Sequence, residues 1–132
     1  DACGFQLMRR LGLKDPLVQS LLKLVSNRDY RFSKRKCVVT GTKLVQDLGR
    51  RYHFHELLSS RVEDPAWEGL RAESRHNAES RVLQKIAKLT SFDGLIGTLD
   101  LPARVSAKEL ADPRLILCLD YIQDPGLLGT LL

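Results

Sequence analysis

The residues of this chain with the clearest chemistry lie between positions 28 and 36, where cationic and aromatic side chains are interspersed. Five basic residues, two aromatic residues and one acidic residue fall within these nine positions. Cations of this kind bind phosphate groups, and aromatic or guanidinium planes stack on unpaired bases. We therefore predict RNA contacts here, made by Arg28, Tyr30, Arg31, Lys34, Arg35 and Lys36. The alternative is a solvated loop with Tyr30 and Phe32 turned into the core.

The net charge of +5 is unevenly distributed along the chain. Residues 1–55 contain 12 Lys and Arg against 4 Asp and Glu, whereas residues 56–132 contain 9 against 12. This asymmetry favours a polyanionic partner for the first half, although a solvated basic surface would give the same balance. Weaker candidates for contact with that partner are Lys23, Lys43, Arg50 and Arg51.

Histidine and cysteine side chains offer little support for a metal site. His53 and His55 would share one face of a strand, but no third ligand is evident, so a partly exposed strand face is favoured. Cys3, Cys37 and Cys118 are far apart and form no C-x-x-C pair, which favours a reducing, intracellular compartment without distinguishing cytoplasm from mitochondrion or plastid. No apolar run approaches the roughly 20 residues that cross a membrane.

The elements expected to position these residues form an α/β fold. Asp15-Pro16 is typical of a helix start, and apolar residues at helical spacing extend that helix to Ser26-Asn27. Strands over 37–40 and 52–58 flank a helix over 43–51 with Leu44, Val45 and Leu48 inward, which makes a β-α-β unit. A helix over 79–89 and a strand over 95–99 follow. The polar residues 61–78 predict a loop or irregular turns, anchored by Trp67.

The pattern changes after Pro113. Leu115–Leu119 is apolar throughout, which predicts a strand buried on both faces. A polar loop over 120–126 precedes the first turns of a helix over 127–132. Since such elements need more protein to cover them, we expect the start of a second domain, preceded by a linker over 100–113 with a capping box at Ser106–Glu109.

The segment after this predicted strand resembles the first signature of the SpoU (TrmH-type) RNA 2′-O-ribose methyltransferases. That signature is a buried strand, an Asp, the pattern D-P-x-N-x-G and a helix with a catalytic Arg. The residues that match it are Asp120, Asp124, Pro125, Gly126 and Gly129. The earlier elements are also similar to the family's substrate-binding domain. They run from the helix that begins Pro16-Leu17-Val18, through the basic-aromatic stretch Arg28–Lys36 and the strand that ends at Gly41, to the helix, turn and strand over Glu79–Leu99.

The resemblance implies a small α/β/α RNA-binding domain with a mixed sheet over 15–99. After the linker, residues 114–132 would be the first strand and helix of a truncated, knotted (SPOUT-type) methyltransferase domain. It implies that the intact parent transfers a methyl group from S-adenosylmethionine to a ribose 2′-oxygen of rRNA or tRNA, as a homodimer. The family's catalytic Arg would follow Leu132, and the later signatures are absent. We therefore expect no catalytic residue and no bound cofactor in this chain alone.

One departure from the family pattern keeps a second function open. Leu127 stands where the family has Asn, and a leucine side chain cannot form the hydrogen bonds of an amide. The alternative is thus a catalytically degenerate RNA-binding or scaffold subunit of a larger assembly. A third interpretation is a small basic α/β interaction module in which the D-P-G match is a coincidence.

Overall fold

A computed structural model of the protein describes residues 10–132, so Cys3 lies outside the described residues. The chain divides into two compact units between Pro102 and Ala103. In the first unit the helices are α1 (Pro16–Ser26), α2 (Arg28–Lys34), α3 (Thr42–Gly49) and α4 (Ser80–Ala87), and the strands are β1 (Lys36–Thr40), β2 (Phe54–Ser59), β3 (Ala72–Asn77) and β4 (Ile96–Asp100). The second unit contains a 3₁₀ turn at Ala107–Glu109 and helix α5 (Pro125–Leu131). The predicted boundaries at residues 99 and 113 stay predictions.

The four strands form one mixed sheet in the order β1-β4-β2-β3. Strand β4 is antiparallel to both of its neighbours, whereas β2 and β3 are parallel. Strands β1 and β2 therefore run in the same direction, as the β-α-β pattern predicts, but β4 lies between them. The predicted mixed sheet is confirmed. Strand β4, which comes last in the chain, fills the gap between β1 and β2 of the β-α-β unit.

Apolar side chains cover both faces of this sheet. On one face, helices α1 and α4 pack with Leu58 and Ile96. On the other face, Val45 of α3 and Trp67 pack with Leu57 and other sheet residues. Consecutive strand residues such as Leu57 and Leu58 point to opposite faces, which gives the sheet one core on each side. The expected α/β/α arrangement is confirmed.

Helix α1 begins as its sequence predicts. The Asp15 carboxylate accepts a hydrogen bond from the Leu17 amide at 2.9 Å, and Pro16 occupies the first helical position. In α3, Val45 is fully buried and Leu48 is partly buried, but Leu44 is 48% exposed, so its predicted inward position is wrong. Helix α3 presents a narrower apolar side than its sequence suggests.

The segment 61–78 is more regular than its sequence predicts. Trp67 is 6% exposed and anchors the segment through the 3₁₀ turn Pro65–Trp67, as expected. The loop prediction is wrong for Ala72–Asn77, which form strand β3 beside β2. Its side chains Glu73 and Arg75 are exposed, because β3 is an edge strand with a solvated face. Its residues therefore lack the apolar alternation by which strands are detected.

The predicted buried strand at Leu115–Leu119 is also wrong. These residues form neither helix nor strand, and Leu115 and Ile116 are 84% and 64% exposed. No strand in the described part of the chain pairs with them, and a strand needs a neighbour to satisfy its backbone amides and carbonyls. The capping box of Ser106 and Glu109 is present as predicted.

Candidate RNA interface

The basic and aromatic residues 28–34 form a helix rather than a loop. The Asn27 side chain accepts a hydrogen bond from the Tyr30 amide at 3.0 Å and thereby caps the start of α2. Arg35 ends the helix in a left-handed conformation with φ of 53°. Only one of the two aromatic rings meets the core, since Tyr30 packs against it and Phe32 is 37% exposed. The alternative interpretation is therefore wrong about the loop and about Phe32, whereas its position for Tyr30 against the core is confirmed.

Tyr30 brings amines from two helices together. Its hydroxyl lies 3.2 Å from the Ser20 hydroxyl of α1, which fixes the ring between α1 and α2. The Nζ atoms of Lys23 and Lys34 each lie 5.7 Å from the ring centroid. Such distances allow cation–π attraction and leave the amines available to an anion. Lys23, a weaker prediction from sequence, thus joins the predicted residues because Tyr30 packs on α1.

Arg28 and Arg35 add one cation at each end of α2. The guanidinium of Arg28 lies 5.5 Å from the Phe32 ring centroid, one helical turn away. Arg28 and Tyr30 are two positions apart and so project from different sides of the helix. Arg35 is exposed at the helix end, and its carbonyl accepts a hydrogen bond from the Leu101 amide at 2.8 Å.

Two of the predicted RNA contacts already have partners within the protein. The Arg31 Nη1 atom donates to the Leu24 carbonyl at 2.7 Å and thus holds α2 against the last turn of α1. The Lys36 Nζ atom lies 3.7 Å from the Glu56 carboxylate. The other three predicted cations, together with Lys23, form no ion pair with a described residue. We name these four residues the α2 cation cluster: Lys23, Arg28, Lys34 and Arg35.

The predicted shared face of two histidines does not form. His53 is exposed before β2 begins, whereas His55 lies within β2. The Nε2 atom of His55 lies 2.7 Å from Asp100, and Nδ1 lies 3.2 Å from Glu73. The hydrogen bond to Asp100 is the main cause that raises the pKa of His55. Within residues 10–132, no three His, Cys, Asp or Glu side chains are placed to hold a metal ion.

The residues of the family signature lie in and before α5. The Asp124 carboxylate accepts from the Gly126 amide at 2.9 Å and caps this helix at Pro125. Asp120 is exposed, and a Cβ added at Gly129 would meet nothing within 4 Å. Of residues 103–132 only Ile122 is even partly buried, so this segment encloses no space that fits S-adenosylmethionine.

Searches by sequence and by structure give different results. No protein-family model and no curated protein matches the sequence. Solved structures do match the fold. An RNA 2′-O-ribose methyltransferase superposes with a TM-score of 0.60 at 21% identity, over 78% of this chain and 40% of that one.

No helix among the described residues has the length and apolar character to span a membrane.

Two further solved structures carry family names. The SpoU methyltransferase AviRb from Streptomyces viridochromogenes, in complex with AdoMet, has a TM-score of 0.57 at 15% identity, over 68% of this chain and 37% of that one. A protein from Porphyromonas gingivalis assigned to the TrmH family of RNA methyltransferases has a TM-score of 0.56 at 27% identity, over 91% of this chain and 47% of that one. The chain thus spans less than half the length of each of these three proteins. The resemblance to the SpoU and TrmH-type RNA methyltransferases is confirmed, and the chain has the α/β fold of the matching part of those proteins.

Proposed function

We propose that this chain docks RNA for an S-adenosylmethionine-dependent 2′-O-ribose methyltransferase of rRNA or tRNA. The α2 cation cluster carries the proposal, because it places around one short helix four cations that pair with no acidic group among residues 10–132. Phosphate contacts of this kind supply most of the affinity of a sequence-independent RNA surface. The fold shared with RNA methyltransferases supports the reaction assigned to the parent protein.

A scaffold role is the second candidate, and Leu127 favours it. This residue lies in the first turn of α5, three positions after the capping Asp124, and is 50% exposed. An apolar side chain there offers no hydrogen bond to a substrate or to a catalytic group. A parent protein that binds RNA but neither binds S-adenosylmethionine nor methylates RNA would have this role. A parent that methylates RNA would not.

Salt dependence of RNA binding tests the docking function directly. With four phosphates neutralised, the logarithm of the association constant should fall against the logarithm of salt concentration with a slope of about −3 for single-stranded RNA. A variant with Lys23→Gln, Arg28→Gln, Lys34→Gln and Arg35→Gln should lose most of this slope. Fluorescence anisotropy with a labelled RNA measures both. Absence of binding, or binding that ignores salt, would contradict the proposal.

A further inference from the structure

A groove on the α3 face of the sheet has the features of a site for an unpaired base. It has a volume of about 660 Å³. That volume lies within the range of roughly 300–1,000 Å³ that is usual for small-molecule sites. The residues that line it are Cys37, Val39, Leu48, Arg51, Tyr52, His53, Leu99, Asp100 and Pro102.

The floor of the groove is apolar. Cys37 of β1 is paired directly with Leu99 of β4, and Val39 lies two positions further along β1 on the same face. Leu48 of α3 adjoins these residues in the same core. Neighbouring strands hold such side chains about 5 Å apart, so they form a continuous surface against which a flat ring can lie.

The rim of the groove contains three consecutive residues with planar side chains. Arg51, Tyr52 and His53 are all exposed, and Tyr52 is 53% exposed. The amides of Arg51 and Tyr52 both donate to the Leu48 carbonyl at 3.0 Å, which fixes this connection to the end of α3. Aromatic and guanidinium planes can stack on an unpaired base, and a fixed backbone keeps these three residues at the rim.

A hydrogen-bond acceptor, Asp100, also lines the groove. Asp100 accepts from His55 through Oδ1, yet its side chain stays 84% exposed and so keeps acceptor capacity for a ligand. A carboxylate accepts hydrogen bonds from donors on the Watson–Crick edge of an unpaired base, such as the ring N3–H of uracil. Arg51 forms no ion pair with a described residue, so its charge at the rim suits a phosphate of an anionic chain.

We propose that this groove binds a single unpaired nucleobase of the RNA whose phosphates contact the α2 cation cluster. The proposal rests on the RNA-docking function and adds a preference for single-stranded RNA. Arg35 and Lys36 connect α2 to β1, whose Cys37 and Val39 form the groove floor. Tyr30 of α2 packs on the core of the opposite face, but β1 is an edge strand of the sheet, so one RNA strand reaches the groove by passing around this edge.

The test compares two RNAs and three variants. The probes are a labelled oligouridine and an RNA duplex of equal length, both titrated with the wild-type chain and with Tyr52→Ala, Tyr52→Phe and Tyr121→Ala. Stacking on one aromatic ring typically changes affinity about 5- to 100-fold, so Tyr52→Ala should weaken oligouridine binding by that factor. Duplex binding should stay unchanged, because a paired base cannot enter the groove. Tyr52→Phe keeps the ring and should bind as the wild type does.

The control and the contrary outcomes separate this proposal from the one on which it rests. Tyr121 is 85% exposed in the second unit, so Tyr121→Ala removes an aromatic ring outside the groove. This variant should bind each RNA with the affinity of the wild type. Equal loss of duplex and oligouridine binding in Tyr52→Ala would overturn the base site, and so would no loss of either. Wild-type binding with a steep salt slope would then still support the docking function. A change of oligomeric state in Tyr52→Ala would assign the groove to a second copy and overturn the proposal.

Discussion

The Nε2 atom of His55 lies 2.7 Å from Oδ1 of Asp100, so the imidazole of β2 is tied to the last residue of β4. The other ring nitrogen lies 3.2 Å from Glu73 of β3, and the Lys36 amine of β1 acts against this attraction. His55 is thus held between two carboxylates across three strands of the sheet. The hydrogen bond to Asp100 raises the pKa of His55 above the ordinary value of 6.5.

We predict that this contact stabilises the fold in acid and not in base. Since the folded-state pKa of His55 is raised, its stabilisation is complete below the unfolded value of 6.5 and is lost as the pH rises through the folded-state pKa. His55→Gln should therefore lower the free energy of unfolding at low pH, by less than about 1 kcal/mol because both carboxylates are exposed. Urea unfolding across this pH range measures the difference between wild type and variant.

His53 provides the control for this experiment. It is exposed, lies two positions away and forms no ion pair with a described residue, so His53→Gln should track the wild type. A difference between His55→Gln and wild type that is constant with pH would show that the histidine acts through packing and not through its charge.

A second prediction separates the structural arginine of α2 from one in the cation cluster. Arg31 satisfies the Leu24 carbonyl at the end of α1, whereas Arg28 is exposed over Phe32. Arg31→Ala should cost about 1–3 kcal/mol of stability, because a partly buried carbonyl loses a charged donor. Arg28→Ala should change stability by less than about 0.5 kcal/mol and reduce the RNA-binding salt slope by about 0.7. Chemical denaturation measures the stability of both variants, and anisotropy titrations measure their salt slopes. A stability loss in Arg28→Ala together with a reduced salt slope only in Arg31→Ala would contradict this assignment.

A third prediction concerns Gly97 in the centre of the sheet. A Cβ at this position would lie 2.6 Å from Cδ1 of Phe54 and 3.3 Å from Cδ2 of Leu57, both of which are fully buried. Gly97→Ala should therefore destabilise the fold by about 1–3 kcal/mol through overpacking. Thermal unfolding checks this, with Gly12→Ala as the control because its Cβ would meet nothing closer than 3.9 Å. Equal melting temperatures for the two variants would show that Phe54 moves aside at little cost.

The sequence predicts those elements whose signals are local. The cap at Asp15 and the spacing of apolar residues locate α1, and β1, β2, α4 and β4 have periodic apolar residues of their own. Strand β3 is not predicted because its side chains are mostly polar and show no strand pattern. Its strand structure depends on its pairing with β2, which the sequence does not show. Leu115–Leu119 shows the opposite error, since its apolar residues predict a strand that no described neighbour completes.

The sequence also does not show which cations of the candidate interface have partners within the protein. Composition identifies the basic stretch. It does not show that Arg31 donates a hydrogen bond to the Leu24 carbonyl or that Lys36 pairs with Glu56. These assignments depend on how α2 packs on α1 and how β1 and β2 lie relative to each other. The same packing brings Lys23 to the ring of Tyr30, although seven positions separate them.

Lys23 supplies the last prediction, because sequence alone ranks it below the residues of α2. Its amine and that of Lys34 flank the same ring at 5.7 Å, so both should contact the same stretch of phosphates. Lys23→Gln and Lys34→Gln should each reduce the salt slope by about 0.7, which is one phosphate contact. Lys85→Gln on α4 is the matched control, since Lys85 is exposed and is not one of the two amines that lie over the Tyr30 ring. Anisotropy titrations at several salt concentrations measure the slopes. If Lys85→Gln reduces the slope as much as Lys23→Gln does, RNA binds through overall charge, and the α2 cation cluster has no special role.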